Sequence, residues 1–206
     1  MTYQLGIMAV TLAPLPVPEA ARRAAELGFD HLDVAGDLDD ASEPLAVPIG
    51  DRFTSPSPRP GYSTGAPPEG PGNWDRAVRA FRKAPGAKIE AWAGSIIDSV
   101  EKIKAFLAEV PDVRLLLDTG HVANWGEDPC ELAPYAGHVQ LRQARRGVPQ
   151  TLEGDVDFAR FLDQLRACAY SGLLSVEYFD LPELGFPLPD PLGHAVVLAE
   201  QIRPLL

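Results

Sequence analysis

Four short apolar runs in the second half of the chain each finish on a side chain with a hard oxygen donor: AKIE at Glu90, RLLLD at Asp118, HVQ at Gln140 and LLSVE at Glu177. Three carboxylates and one amide oxygen suit Mg2+ or Mn2+ and are acceptable to Co2+ or Zn2+. Gathered at one point, the carboxylates would repel one another without a cation between them. Taken singly, a strand-terminal carboxylate is more often a solvated or capping group. Glu177 after SV and Glu90 after Ile89 have no local cap to make, however, and the repetition at four strand ends carries the reading.

Side chains so far apart in sequence can meet only if the fold aligns the ends of their strands. The chain alternates short apolar runs with amphipathic stretches, the mark of a parallel α/β fold. Strands are expected over 5–11, 31–35, 45–49, 88–92, 114–117, 138–141 and 173–176. Helical spacing predicts helices over 17–27, 74–83, 97–110, 129–135, 157–168 and 192–202. Residues 53–73 carry Pro56, Pro58, Pro60, Pro67, Pro68 and Pro71 with four glycines, which neither a helix nor a central strand accepts. This stretch is expected to be a lid over a site or an insert.

An open sheet that binds a dinucleotide needs a glycine-rich turn after its first strand, and here that turn is LAPLPVPE. The remaining architecture is a (β/α) TIM-type barrel, in which active sites form at the C-terminal ends of the strands. Seven recognisable units make a shortened barrel, about one unit below the usual eight, as a single domain over 1–206.

The charge balance excludes one class of partner. With 18 Lys+Arg against 29 Asp+Glu the formal charge is −11, which opposes nucleic acid, and the basic run from Arg142 to Arg146 is too short to form a phosphate-binding stripe. A composition 46% apolar and 23% charged is that of an ordinary folded globule. No run approaches the roughly 18 apolar residues of a membrane span. The opening MTYQLGIMAVTLAPLP lacks a basic signal region, and Cys130 and Cys168 read as two unreactive thiols. The expectation is a cytoplasmic protein with neither membrane nor nucleic-acid partner.

Further residues are candidates with a structural alternative beside each. Trp92 and Trp125 follow Glu90 and His121 closely and could wall a ligand pocket or simply pack. His31 and Asp33 could line the same mouth or serve the core. Asp51 and Arg52 are a polar pair of unassigned role, and His194 opens the last helix at the surface.

The segments LLLDTGHVANWGEDP, HVQLRQARRG and EGDVDFARFLDQLRACAYSGLLSVEYF resemble the sugar isomerase/epimerase family with a xylose-isomerase-like TIM barrel. That family's pattern is a DTGH element, an HxH or HxQ strand, a glycine before a VDF-like helix start, and a closing SVE. The resemblance covers about 88–179, is weak over the first 36 residues and absent from the Pro-rich middle. It implies Glu90, Asp118 and Glu177 as ligands of a divalent metal ion and His121 as a substrate contact. The position of Gln140 is usually His, and hydroxypyruvate-isomerase-like members are similar in having HVQ with the Gln oxygen as ligand. His138, two residues earlier on the same strand face, is then a supporting partner or the ligand itself. Arg145 or Arg146 would hold the substrate's hydroxyl or phosphate end.

The implied reaction is isomerisation or epimerisation of a small sugar, sugar phosphate or hydroxy keto acid. Such reactions remove a proton beside a carbonyl, and the resulting enediolate needs a cation across its oxygens. Glu90 and Glu177 are the candidate pair for taking and returning the proton, with His121 orienting an oxygen. Relatives on this fold include dehydratases and lyases acting on related polyols, so that reaction is the alternative. The shortened chain, the Pro-rich stretch and Gln140 motivate a third reading, a catalytically silent barrel serving as a binding or partner subunit. The apurinic endonuclease branch needs more histidines than the four present. Relatives often associate, which implies a homo-oligomer.

Overall fold

In a computed structural model, the protein is described over residues 2–34, 46–48 and 58–206. Eight parallel strands form one sheet: β1 (Leu5–Met8), β2 (Leu32–Val34), β3 (Ala46–Pro48), β4 (Ser63–Gly65), β5 (Lys88–Glu90), β6 (Arg114–Asp118), β7 (Ala136–Leu141) and β8 (Leu174–Val176). Seven of them are described with their side chains and β3 by its backbone. Their order is β3-β2-β1-β8-β7-β6-β5-β4. The first and last strands are thus neighbours, with Leu5 in register with Leu174, and the sheet curls as in a (β/α) barrel. Among the described residues no ladder joins β3 to β4.

The helices are α1 (Val17–Glu26), α2 (Asn73–Phe81), α3 (Val100–Glu109), α4 (Thr119–Trp125), α5 (Phe158–Ala167) and α6 (Pro191–Ile202). Each of the longer ones is set by an apolar stripe and a cap. In α3, Val100, Ile103, Phe106 and Leu107 are buried, and Ser99 accepts a hydrogen bond from the Lys102 amide. In α5, Phe158, Phe161, Leu162 and Leu165 face the sheet, and Asp157 accepts from the Arg160 amide. Burying a side chain the size of Phe161 contributes about 1.5–3 kcal/mol. These stripes pack on a sheet whose inner residues, such as Ile7, Ile89, Leu115 and Val139, are fully buried.

The expected strand over 5–11 is shorter, because the chain turns into a 3-10 helix at Ala9–Leu12. The unit the sequence reading does not recognise is β4. It lies inside the Pro/Gly-rich stretch, in the proline-free piece between Pro60 and Pro67, and pairs with β5 alone among the described strands. A segment so flanked fits an edge position, where one side of the backbone makes no ladder bonds. Asp51, Arg52 and residues 53–57 lie outside the described residues.

Candidate metal and substrate site

The DTGH element forms a strand-to-helix junction in which every residue has a mechanical role. Asp118 ends β6 and caps α4, its Oδ1 accepting from the Gly120 amide at 2.7 Å. Thr119 ties the junction to the chain leaving β7: its hydroxyl donates to the Arg142 carbonyl and accepts from the Arg142 amide, each at 3.0 Å. A Cβ on Gly120 would lie 2.4 Å from Arg142 Nε, so glycine is what allows the Arg142 side chain through. One helical step further on, His121 turns back over the strand ends.

The result is a convergence. Among the described residues, one group of His, Cys, Asp and Glu side chains brings three donor atoms within 4.8 Å of one another, and it comprises Glu90, Asp118 and His121. His121 Nε2 lies 3.6 Å from Asp118 Oδ2 and 3.9 Å from Glu90 Oε1. Ligands sharing one cation at about 2.1 Å lie up to roughly 4.2 Å apart, so this group needs only a small inward adjustment to hold one. Beside it, Gln140 is in register with Asp118, and both its amide atoms are buried without a hydrogen-bond partner. A buried amide in that condition costs free energy unless something is to be coordinated there. The donor set therefore fits a hard or borderline divalent cation.

Glu177 is also fully buried, directly after β8, its amide donating to the Leu141 carbonyl at 3.1 Å. It lies outside the group of three. His121, read from the sequence as a substrate contact, is inside it.

Arg142 was not among the sequence candidates, and it is the largest fully buried side chain of the described residues. Its Nη2 donates to Asp118 Oδ2, whereas Nε and Nη1 are buried without a hydrogen-bond partner. The guanidinium lies over the rings of Phe179 and Phe186, at 4.9 and 5.6 Å. The signal that could have found it is strand alternation, since Arg142 follows Gln140 by two residues and so shares its inward direction. Its neighbours Arg145 and Arg146 are exposed; Arg145 donates to the Glu153 carbonyl, and Arg146 packs over Gly126.

Aromatic rings close the group. His121 stacks on Trp125 at 6.5 Å and meets the edge of Phe186 at 6.1 Å. Gln150 holds this cover by donating to the carbonyls of Phe179 and Phe186 at 2.6 and 3.1 Å. Trp92 is half-buried and donates from Nε1 to the Ala66 carbonyl, fastening the end of β4.

A second polar cluster occupies another part of the interior. His138 Nε2 is 2.6 Å from Asp33 Oδ2, His31 Nε2 is 3.5 Å from Asp33 Oδ1, and His31 Nε2 is 2.9 Å from the Ser175 hydroxyl. Burial pushes the Asp33 carboxyl up, but the charge and hydrogen bond of His138 outweigh it and hold the group below the usual range. His31 is pushed down, chiefly by burial. His138, two residues before Gln140 on β7, is thus engaged with Asp33. His194 donates from Nδ1 to the Asp190 carbonyl at 2.8 Å in the first turn of α6, and its ring is tilted against Tyr178.

A family model described as Xylose isomerase-like TIM barrel matches residues 19–198. The chain belongs to that family. No curated protein matches it. Among solved structures, an L-ribulose 3-epimerase is similar over all of this chain and 95% of its own, at 15% identity and a TM-score of 0.71. A xylose isomerase-like TIM barrel protein from Mycobacterium smegmatis, in complex with magnesium, is similar over 97% of each chain, at 17% identity and 0.69. A probable 3-DHS dehydratase from Bacillus anthracis covers 98% of this chain and 99% of its own, at 13% identity and 0.65. At such identities the likeness is one of fold, and it gives the xylose isomerase-like barrel neighbours among both sugar epimerases and dehydratases.

Proposed function

We propose that the protein is a divalent-metal-dependent isomerase or epimerase of a small sugar, sugar phosphate or hydroxy keto acid, acting through an enediolate. The observation that carries this reading is the meeting of Glu90, Asp118 and His121 within 4.8 Å at the C-terminal ends of β5 and β6. Glu90, Asp118, Gln140 and Glu177, with His121, would hold the cation, drawn from Mn2+, Mg2+, Co2+ or Zn2+. When bound, it supplies positive charge to the oxygens of the enediolate.

The chain's own residues do the rest. Glu90 and Glu177 leave different strands, so that one carboxylate can take the proton beside the carbonyl and the other return it. His121, beside Glu90 and Asp118, orients a substrate oxygen, and the rings of Trp125 and Phe186 exclude water and give the apolar face of a small carbohydrate a wall. The epimerase neighbours support this substrate class. The two free thiols, Cys130 and Cys168, support a reducing, cytoplasmic setting.

The test is turnover of a panel of small ketoses and hydroxy keto acids by chelator-stripped protein reloaded with Mn2+. A product of equal mass, formed by the wild type and reduced at least a hundredfold in Glu177→Gln, is expected. A product lighter by water would assign the dehydratase reaction instead. Metal-loaded protein with no product from any of these would favour a binding or partner subunit.

A further inference from the structure

The site already contains a cation that the chain supplies itself. Arg142 is fully buried, and it is seated on the same carboxylate oxygen of Asp118 that faces His121. The other oxygen of that carboxylate is held by the Gly120 amide. The seat is shaped for the guanidinium. Gly120 leaves room for it, Phe179 and Phe186 cover it, and Thr119 fixes its backbone on both sides. None of these features is needed by a carboxylate whose task is to bind a metal alone.

We propose that Arg142 and a divalent metal compete for Asp118, so that Arg142 acts as a resident counter-ion that stabilises the metal-free protein and sets how tightly metal is held. Two positive charges within one carboxylate's reach repel strongly where water is excluded. In this seat the Nε and Nη1 of Arg142 lack hydrogen-bond partners, so Asp118 is the hydrogen-bonding contact that holds the guanidinium. Metal binding must therefore either tolerate the guanidinium at short range or displace it from Asp118, and either course weakens it. The inference rests on the reading of Glu90, Asp118 and His121 as the metal's seat, and not on the reaction performed there.

The experiment is a calorimetric titration of the chelator-stripped full-length chain with Mn2+ alone, read alongside Trp fluorescence, since Trp125 stacks on His121. The Arg142→Met variant keeps the length and apolar contact of the side chain and removes its charge. It is expected to bind Mn2+ at least tenfold more tightly than the wild type and to show a larger rise in melting temperature on adding Mn2+. If that variant does not fold, Gly120→Ala gives the same test. Its Cβ would push the guanidinium off Asp118 while keeping the amide that holds the carboxylate, and tighter Mn2+ binding is again expected.

Wild type binding Mn2+ with the variant equal or weaker would overturn the inference and leave the metal reading in place. Such a result would make Arg142 an orienting partner of the ligand. Absence of Mn2+ binding in wild type and variants alike would overturn the metal reading and the competition together.

Discussion

Asp33 and His138 form a 2.6 Å pair between β2 and β7, strands separated in the sheet by β1 and β8. The pair therefore spans the barrel interior rather than one ladder. Both side chains are buried, and removing Asp33 leaves His138 without its carboxylate, whereas removing His138 leaves Asp33 the more distant His31. Asp33→Ala should lower unfolding free energy by about 3–5 kcal/mol, measured by urea denaturation. A loss below about 1 kcal/mol would mean that the interior relaxes around a lone histidine.

The same cluster sets the acid response. His31 sits below its ordinary value of 6.5, so the unfolded chain binds this proton more readily than the folded one. Its contribution to stability is complete above pH 6.5 and is lost as the pH falls from there towards the folded value. Asp33, below its ordinary 3.8, keeps its contribution above that pH and loses it only as the pH falls through the folded value. Urea midpoints should be lower at pH 5 than at pH 8, with His31→Gln flattening that interval. A wild-type midpoint unchanged between the two would contradict the assignment.

Gly6, on β1, makes room for that histidine. A Cβ there would lie 2.3 Å from His31 Cδ2 and Nε2. Gly6→Ala should cost about 1–3 kcal/mol, as overpacking does, and shift the His31 ring resonances in NMR spectra. An unperturbed histidine spectrum would place the ring elsewhere.

Metal content separates Asp118 from the rest of the molecule. Asp118→Asn keeps an oxygen to cap α4 and removes the charge. Protein purified without chelators should carry about one divalent ion per chain in the wild type and much less in the variant, by elemental mass spectrometry. Equal content in both would remove Asp118 from the ligand set.

Much of this was legible in the residues themselves, for reasons that differ between elements. Helix α5 could be read closely, because Asp157 as cap and the Phe158, Phe161, Leu162, Leu165 stripe are local signals. Glu90 and Asp118 were legible because a parallel barrel puts successive strand ends on one rim. The strand β4 was hidden by prolines and glycines that bracket three residues. Arg142 was hidden because its partner lies 24 residues away, and a charge in a basic run usually faces water. The Asp33–His138 pair, 105 residues apart, has no local signature at all. Contacts of that kind exist only once the sheet has curled.

The pairing of Leu5 with Leu174 also constrains how the molecule is made. During synthesis the first strand leaves the ribosome long before its neighbour on that side exists. Until β8 arrives, one edge of β1, with the apolar Leu5 and Ile7, has no ladder partner, and an unpaired apolar edge is where chains stick to one another. The β1–β8 ladder can form only after β8 has been made. Glu177 directly follows β8, so assembly of the candidate site and protection of the β1 edge are completed in the same event.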